Sequence, residues 1–158
     1  MSETRHLNDL DIDEFESGLL AVARHFLSGV EDPGSHGWQR AFAVSVERWG
    51  EGRGLSIAFQ LHKILLATEQ CRATGMAFHD PLCLERRQRA TEDEQALLEM
   101  LHYMRRDNTD AARDAVDRLT KGWRDPHVIR AGLAFAARFP SGQGRPQRAA
   151  GRPLLKVV

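Results

Sequence analysis

Two cysteines and a histidine stand where a metal ion could be held: Cys71, His79 and Cys83 are spaced C-x7-H-x3-C. Thiolate sulfur and imidazole nitrogen are ligands that suit zinc, and four of them in a tetrahedron close a structural site. His102, or else His62, is available as a fourth ligand from a neighbouring helix. Zinc on Cys71, His79, Cys83 and His102 would explain how the irregular stretch around Pro81 stays in place, since long loops without structure of their own are uncommon in compact domains. The usual C-x2-C knuckle is absent. The same residues therefore also read as small apolar thiols and a hydrogen-bonded histidine.

Other side chains offer less specific chemistry. Glu47, Arg48, Glu69, Arg72, His79 and Asp80 supply the acid, base and imidazole of general acid–base catalysis, and equally the ordinary polar surface of helices. His62 lies in the most apolar segment and reads as a core-edge histidine rather than a phosphoacceptor or haem ligand. Arg86, Arg87 and Arg89 make a basic run, but Glu92, Asp93 and Glu94 follow directly. With a formal net charge of zero, the chain lacks the basic footprint of a nucleic-acid binder. No P-loop, HExxH, GxSxG or Rossmann glycine fingerprint occurs. The Gly50-Glu51-Gly52-Arg53-Gly54 string has neither the right spacing nor a preceding strand, and reads as an interhelix turn.

The elements that would carry these residues are helices. Ile12, Phe15, Leu19, Val22 and Phe26 step by three and four, with Asp11 and Glu14 as a capping pair at the start and an end near Gly29. Trp38, Phe42, Val46 and Trp49 share one face of a second helix. A third, from about Leu55 to Thr74, carries two apolar stripes, Ile57/Leu61/Ile64/Cys71 and Leu55/Phe59/Leu65/Leu66, and Gly75 is placed to stop it. Two-sided apolarity predicts a long central helix, buried within a bundle. Thr91-Glu92-Asp93-Glu94 is a capping box opening a fourth helix with Leu97, Leu98, Leu101 and Met104 inward. A fifth takes Ala112, Ala115, Val116 and Leu119 inward. Asp125-Pro126 opens a sixth, closed by Pro140. No segment alternates like a strand.

The segment from Glu94 to about His127, with LLEMLHYMRRDNTDAARDAVDRL and its small Ala111, Ala112 and Ala115 after an Asp-Asn turn, resembles one tetratricopeptide-type helical hairpin. The resemblance covers about one 34-residue unit, without the family's Trp-Leu-Gly-Tyr start and without a second copy. It implies a way of packing two helices, not a peptide-binding array.

At 158 residues with 42% hydrophobic side chains, the chain suits one all-α domain of about six helices over 10–140. A flexible acidic start at 1–9 and a flexible basic tail at 141–158 flank it. Glu3, Asp9, Asp11, Asp13, Glu14 and Glu16 face Arg5 alone at one end, and Arg145, Arg148, Arg152 and Lys156 stand without an acid at the other. The absence of a secretory signal and of any apolar run near the ~18 residues of a membrane span points to the cytoplasm, with free thiols. Trp38, Trp49 and Trp123 sit at helix edges, as interface aromatics do. The expectation is a noncatalytic cytosolic protein that acts through a protein partner or as a homo-oligomer, with regulation as one such role. The alternative is a metal-binding protein or metal-dependent enzyme centred on the Cys71/His79/Cys83 loop, with zinc as the candidate metal.

Overall fold

The computed structural model describes residues 3–142, and within them six α-helices form a single bundle with one tiny sheet. The expected basic tail lies, from residue 143, outside the described residues. The helices are α1 (Glu14–Glu31), α2 (Gly37–Trp49), α3 (Glu51–Cys71), α4 (Glu92–Met104), α5 (Thr109–Leu119) and α6 (Pro126–Arg138).

Local signals set most of the ends. Thr91 caps α4, its hydroxyl accepting from the Glu94 amide while Glu94 Oε1 accepts from the Thr91 amide. Asp125 caps α6 ahead of Pro126. Asn108 caps α5. The box that opens α1 is Asp13 with Glu16, not Asp11 with Glu14. Both pairs have the required spacing, and α1 continues past Gly29 to Glu31. Gly75 does not end α3, which stops four residues earlier with Arg72 as its cap.

The glycine string between α2 and α3 is mostly helix. Only Gly50, at φ 88°, turns the chain. Gly54 lies inside α3, where a Cβ would stand 2.5 Å from the Ser45 carbonyl oxygen. Its missing side chain lets the two helices touch backbone to backbone, and the Ser45 hydroxyl donates to the Gly54 carbonyl at 2.7 Å.

The long helix in the middle of the chain is present, but its burial is one-sided. Ile57, Ala58, Leu61, Ile64 and Leu65 are buried, whereas Leu55, Phe59 and Leu66 are exposed. The helix buried almost all round is α4, with Ala96, Leu97, Leu98, Met100 and Leu101 at 1% exposure or less. It packs against α1, α5 and α6, and so takes up the enclosed position that composition alone assigned to α3. Residues 3–10 are seated rather than frayed. Arg5–His6 (β1) pairs antiparallel with Arg89–Ala90 (β2), and Leu7 and Leu10 are buried.

Candidate functional site

The polar interior is built from arginine–carboxylate pairs that tie distant segments together. Glu16, Leu20 and Arg24 share one face of α1, two of them charged and all three buried. Arg24 donates from Nε to Glu94 Oε2 at 2.6 Å and from Nη2 to Glu94 Oε1 at 3.0 Å. It also donates to the carbonyls of Arg86, at 3.3 Å, and Arg89. Arg72, at the end of α3, grips Asp93 through both Nη atoms at 3.0 Å and donates to the carbonyls of Thr74, Gly75 and Leu119. Asp93 in turn accepts from the Ala77 amide at 2.7 Å. At the other end of the bundle Glu16 accepts from Arg105, and from Arg106 at 2.7 Å, and sits 2.9 Å from His102 Nδ1. Asp13 joins the same cluster through Arg105 at 3.1 Å and Arg106 at 2.9 Å.

These pairs do what zinc was expected to do. The irregular segment between α3 and α4 is pinned at Thr74, Gly75 and Ala77 by Arg72 and Asp93, and at Arg86 and Arg89 by Arg24. Among the described residues no three His, Cys, Asp or Glu side chains converge as metal ligands, so Cys71, His79, Cys83 and His102 do not form the expected tetrahedron. Cys71 Sγ donates to the Thr68 carbonyl at 3.4 Å within α3. Burial, then the negative charge of Asp125, pushes its thiol pKa up, away from the thiolate a metal requires. Cys83 starts a single 3-10 turn. His102 is committed to Glu16.

His79 is the exception to full satisfaction. Its ring is buried, and Nε2 is the one buried side-chain polar atom without a hydrogen-bond partner among the described residues. Burial lowers its pKa, with Arg24, Arg86 and Arg89 adding to the effect against the opposing pull of Glu94. The ring is therefore neutral near pH 7. The proposed acid–base cluster is dispersed as well: Arg72 points inward to Asp93, and Glu69 accepts from the Met76 amide at 3.1 Å.

What the fold leaves open is an apolar face on α2 and α3. Leu55, Phe59 and Leu66 are 42%, 52% and 48% exposed, on the side of α3 away from the core. Behind that face, a chain of rings runs from α3 through the buried Phe26 of α1 to α2. His62 stands 4.9 Å from Phe26, Phe26 meets Phe42 edge-on at 5.6 Å, and Phe42 meets Trp38 edge-on at 6.5 Å. Lys63 lies over the Phe59 ring at 5.5 Å. Of the three expected interface tryptophans, only Trp38, 56% exposed, belongs to this face in the open. Trp49 is half-buried against Phe15 at 5.4 Å, and Trp123 stands exposed in the α5–α6 connection. The three are not gathered into one patch. The second apolar stripe of α3 was visible in the sequence; its exposure was not.

Residues 92–119 form a helical hairpin, tied by Arg118 to Glu99 at 2.7 Å, and α6 packs against its α4 arm. Comparison of the chain with family models, with curated proteins and with solved structures finds no match in any of the three. No helix among the described residues is long and apolar enough to cross a membrane.

Proposed function

We propose that this chain is a noncatalytic, cytoplasmic, helical interaction protein that works as a homodimer through the exposed face of α3 and the adjoining edge of α2. The observation that carries the reading is the spacing of Leu55, Phe59, His62 and Leu66. The steps of four, three and four have the spacing of a two-heptad a/d seam, with Leu55, Phe59 and Leu66 exposed and His62 half-buried beside Phe26, on a helix already fixed by its other face. The seam is symmetric about its midpoint. A second copy laid antiparallel would set Leu55 against Leu66 and Phe59 against His62, the self-complementarity a twofold interface requires.

Charge supports the same partner. The chain is formally neutral, so two copies meet without net repulsion. Burying the exposed parts of Trp38, Leu55, Phe59 and Leu66 from both copies is worth roughly 6–12 kcal/mol. Association costs at least about 4 kcal/mol. The difference, about 2–8 kcal/mol, corresponds to a Kd between about 30 mM and about 1 μM, and the proposed dimer takes the part of that range below about 1 mM, a reversible contact rather than a permanent one. The noncatalytic part of the reading rests on the titratable groups of the interior, which, His79 apart, are consumed by one another. The free thiols of Cys71 and Cys83 suit a reducing compartment.

Sedimentation equilibrium up to about 1 mM chain tests this. The wild type should show a reversible dimer, and Phe59→Glu or Leu66→Glu should leave a folded monomer. A wild type that stays monomeric throughout, or a Phe59→Glu variant that dimerises equally well, overturns the reading.

A further inference from the structure

A cavity of about 350 Å³ opens between α1, the end of α2 and the segment that precedes α4. Gly18 and Ala21 of α1 contribute small groups to its lining, which leaves room above the helix. Arg48 and Arg87 line it from two different segments. Neither guanidinium has a carboxylate or hydrogen-bond partner among the described residues, unlike Arg24, Arg72, Arg105 and Arg106, each of which pairs with a carboxylate. Arg48 is nonetheless held in place. Its guanidinium carbon lies 5.8 Å from the Trp49 ring centre, and the side chain runs so close over Gly18 that a Cβ there would meet Arg48 Nη1 at 3.1 Å. Ser17 and Gln88 also line the cavity, and their side chains make no hydrogen bond among the described residues. Two guanidiniums without carboxylate partners, lining one cavity with neutral donors, match an oxyanion that offers several acceptor oxygens.

The other charged lining residues narrow the ligand: Arg24 is already paired with Glu94. Glu14 lines the same cavity and has no ion-pair partner among the described residues. A polyphosphate or nucleic-acid backbone would press a second phosphate toward that carboxylate, at a cost in like-charge repulsion. A single dianionic head carrying a hydroxyl-bearing body would set the anion between the arginines and leave the hydroxyl to donate to Glu14. We propose that this cavity is a binding site for a small hydroxylated phosphomonoester, with Arg48 and Arg87 as the anion clamp, Ser17 and Gln88 as neutral donors and Glu14 as the selector against polyanions. The site is separate from the proposed dimer seam on α3, so either can fail without the other.

The test is calorimetric titration of the full chain with glycerol 3-phosphate in low-salt buffer, beside inorganic phosphate and tripolyphosphate. Saturable binding with a Kd of about 1 mM or tighter is expected. Arg48→Gln and Arg87→Gln should each weaken it by about tenfold or more, since each removes one charged clamp arm. Both positions are exposed and outside every ion pair among the described residues, so circular dichroism should stay at wild-type values, with Arg48→Gln losing at most the small contribution of its exposed stack on Trp49 in the melting curve. Glu14→Gln should raise affinity for tripolyphosphate relative to the monoester. Absence of saturable binding, binding that survives both arginine substitutions, or wild-type preference for tripolyphosphate each overturns the proposal.

Discussion

Replacing Arg72 by methionine removes the charge while keeping much of the volume, and so asks how much one buried guanidinium holds. In the wild type that group meets both oxygens of Asp93 at 3.0 Å and the Leu119 carbonyl at 2.8 Å. It also supplies the Thr74 and Gly75 carbonyls. Without it, Asp93 keeps only the Ala77 amide and the more distant Lys121, at 3.4 Å, while remaining 6% exposed. Breaking a buried pair by deleting one partner costs about 3–5 kcal/mol. Against a total stability of about 5–15 kcal/mol, that is a large share. With a urea m-value of about 2 kcal/mol/M, the midpoint should fall by about 1.5–2.5 M. The double variant Arg72→Met/Asp93→Asn removes the stranded charge and should recover much of the loss, with a coupling energy of about 1.5 kcal/mol or more. The carboxyl of Asp93 supplies an independent readout. Burial opposes its ionisation, but the hydrogen bonds from Arg72 and the Ala77 amide outweigh that and hold its pKa below 3.8. Its contribution is thus present above about pH 4 and is lost as pH falls through the folded value, so Asp93→Asn should flatten the acid limb of stability against pH. A loss below about 1 kcal/mol in Arg72→Met, or a double variant no better than the sum of the singles, would refute the assignment of the pair as the fastening of this loop.

Two further substitutions test other parts of the interior. His79→Leu should fall within about 1 kcal/mol of wild type or be more stable, because it removes an unpartnered buried nitrogen. It should also reduce the stability that the wild type loses as pH drops below 6.5, where the unfolded imidazole takes a proton before the folded one does, leaving the share of His25, whose pKa burial also lowers; urea midpoints between neutral and mildly acidic pH read both effects. Gly54→Ala should cost about 1–3 kcal/mol by melting analysis, since the new Cβ meets the Ser45 carbonyl and forces α2 from α3.

The helices were legible because their signals are local. Apolar steps of three and four, the Thr91–Glu94 box and Asp125-Pro126 each act within one or two turns of chain, and each does in the fold what the local pattern specifies. Where two local signals competed, as with Asp11/Glu14 and Asp13/Glu16, spacing alone could not choose. The choice falls to Asp13 and Glu16, whose carboxylates meet Arg105 and Arg106 across the bundle. A charged residue inside an apolar stripe was the available hint to the buried pairs, since Glu16 and Arg24 flank Leu20 at four-residue steps. Their partners lie far along the chain, and no periodicity connects Arg24 to Glu94.

The candidate site divides the same way. The sequence by itself determined that α3 has two apolar stripes and that Cys71, His79, Cys83 and His102 could supply metal ligands. Only the tertiary structure decided which stripe meets the core and that the four ligand candidates do not converge. Hydrophobic patterning specifies how much apolar surface must be covered, but which face is covered depends on how many neighbours arrive, and α4 took the enclosed position. Among the described residues no further helix covers Leu55, Phe59 and Leu66, and that uncovered stripe is the proposed dimer seam.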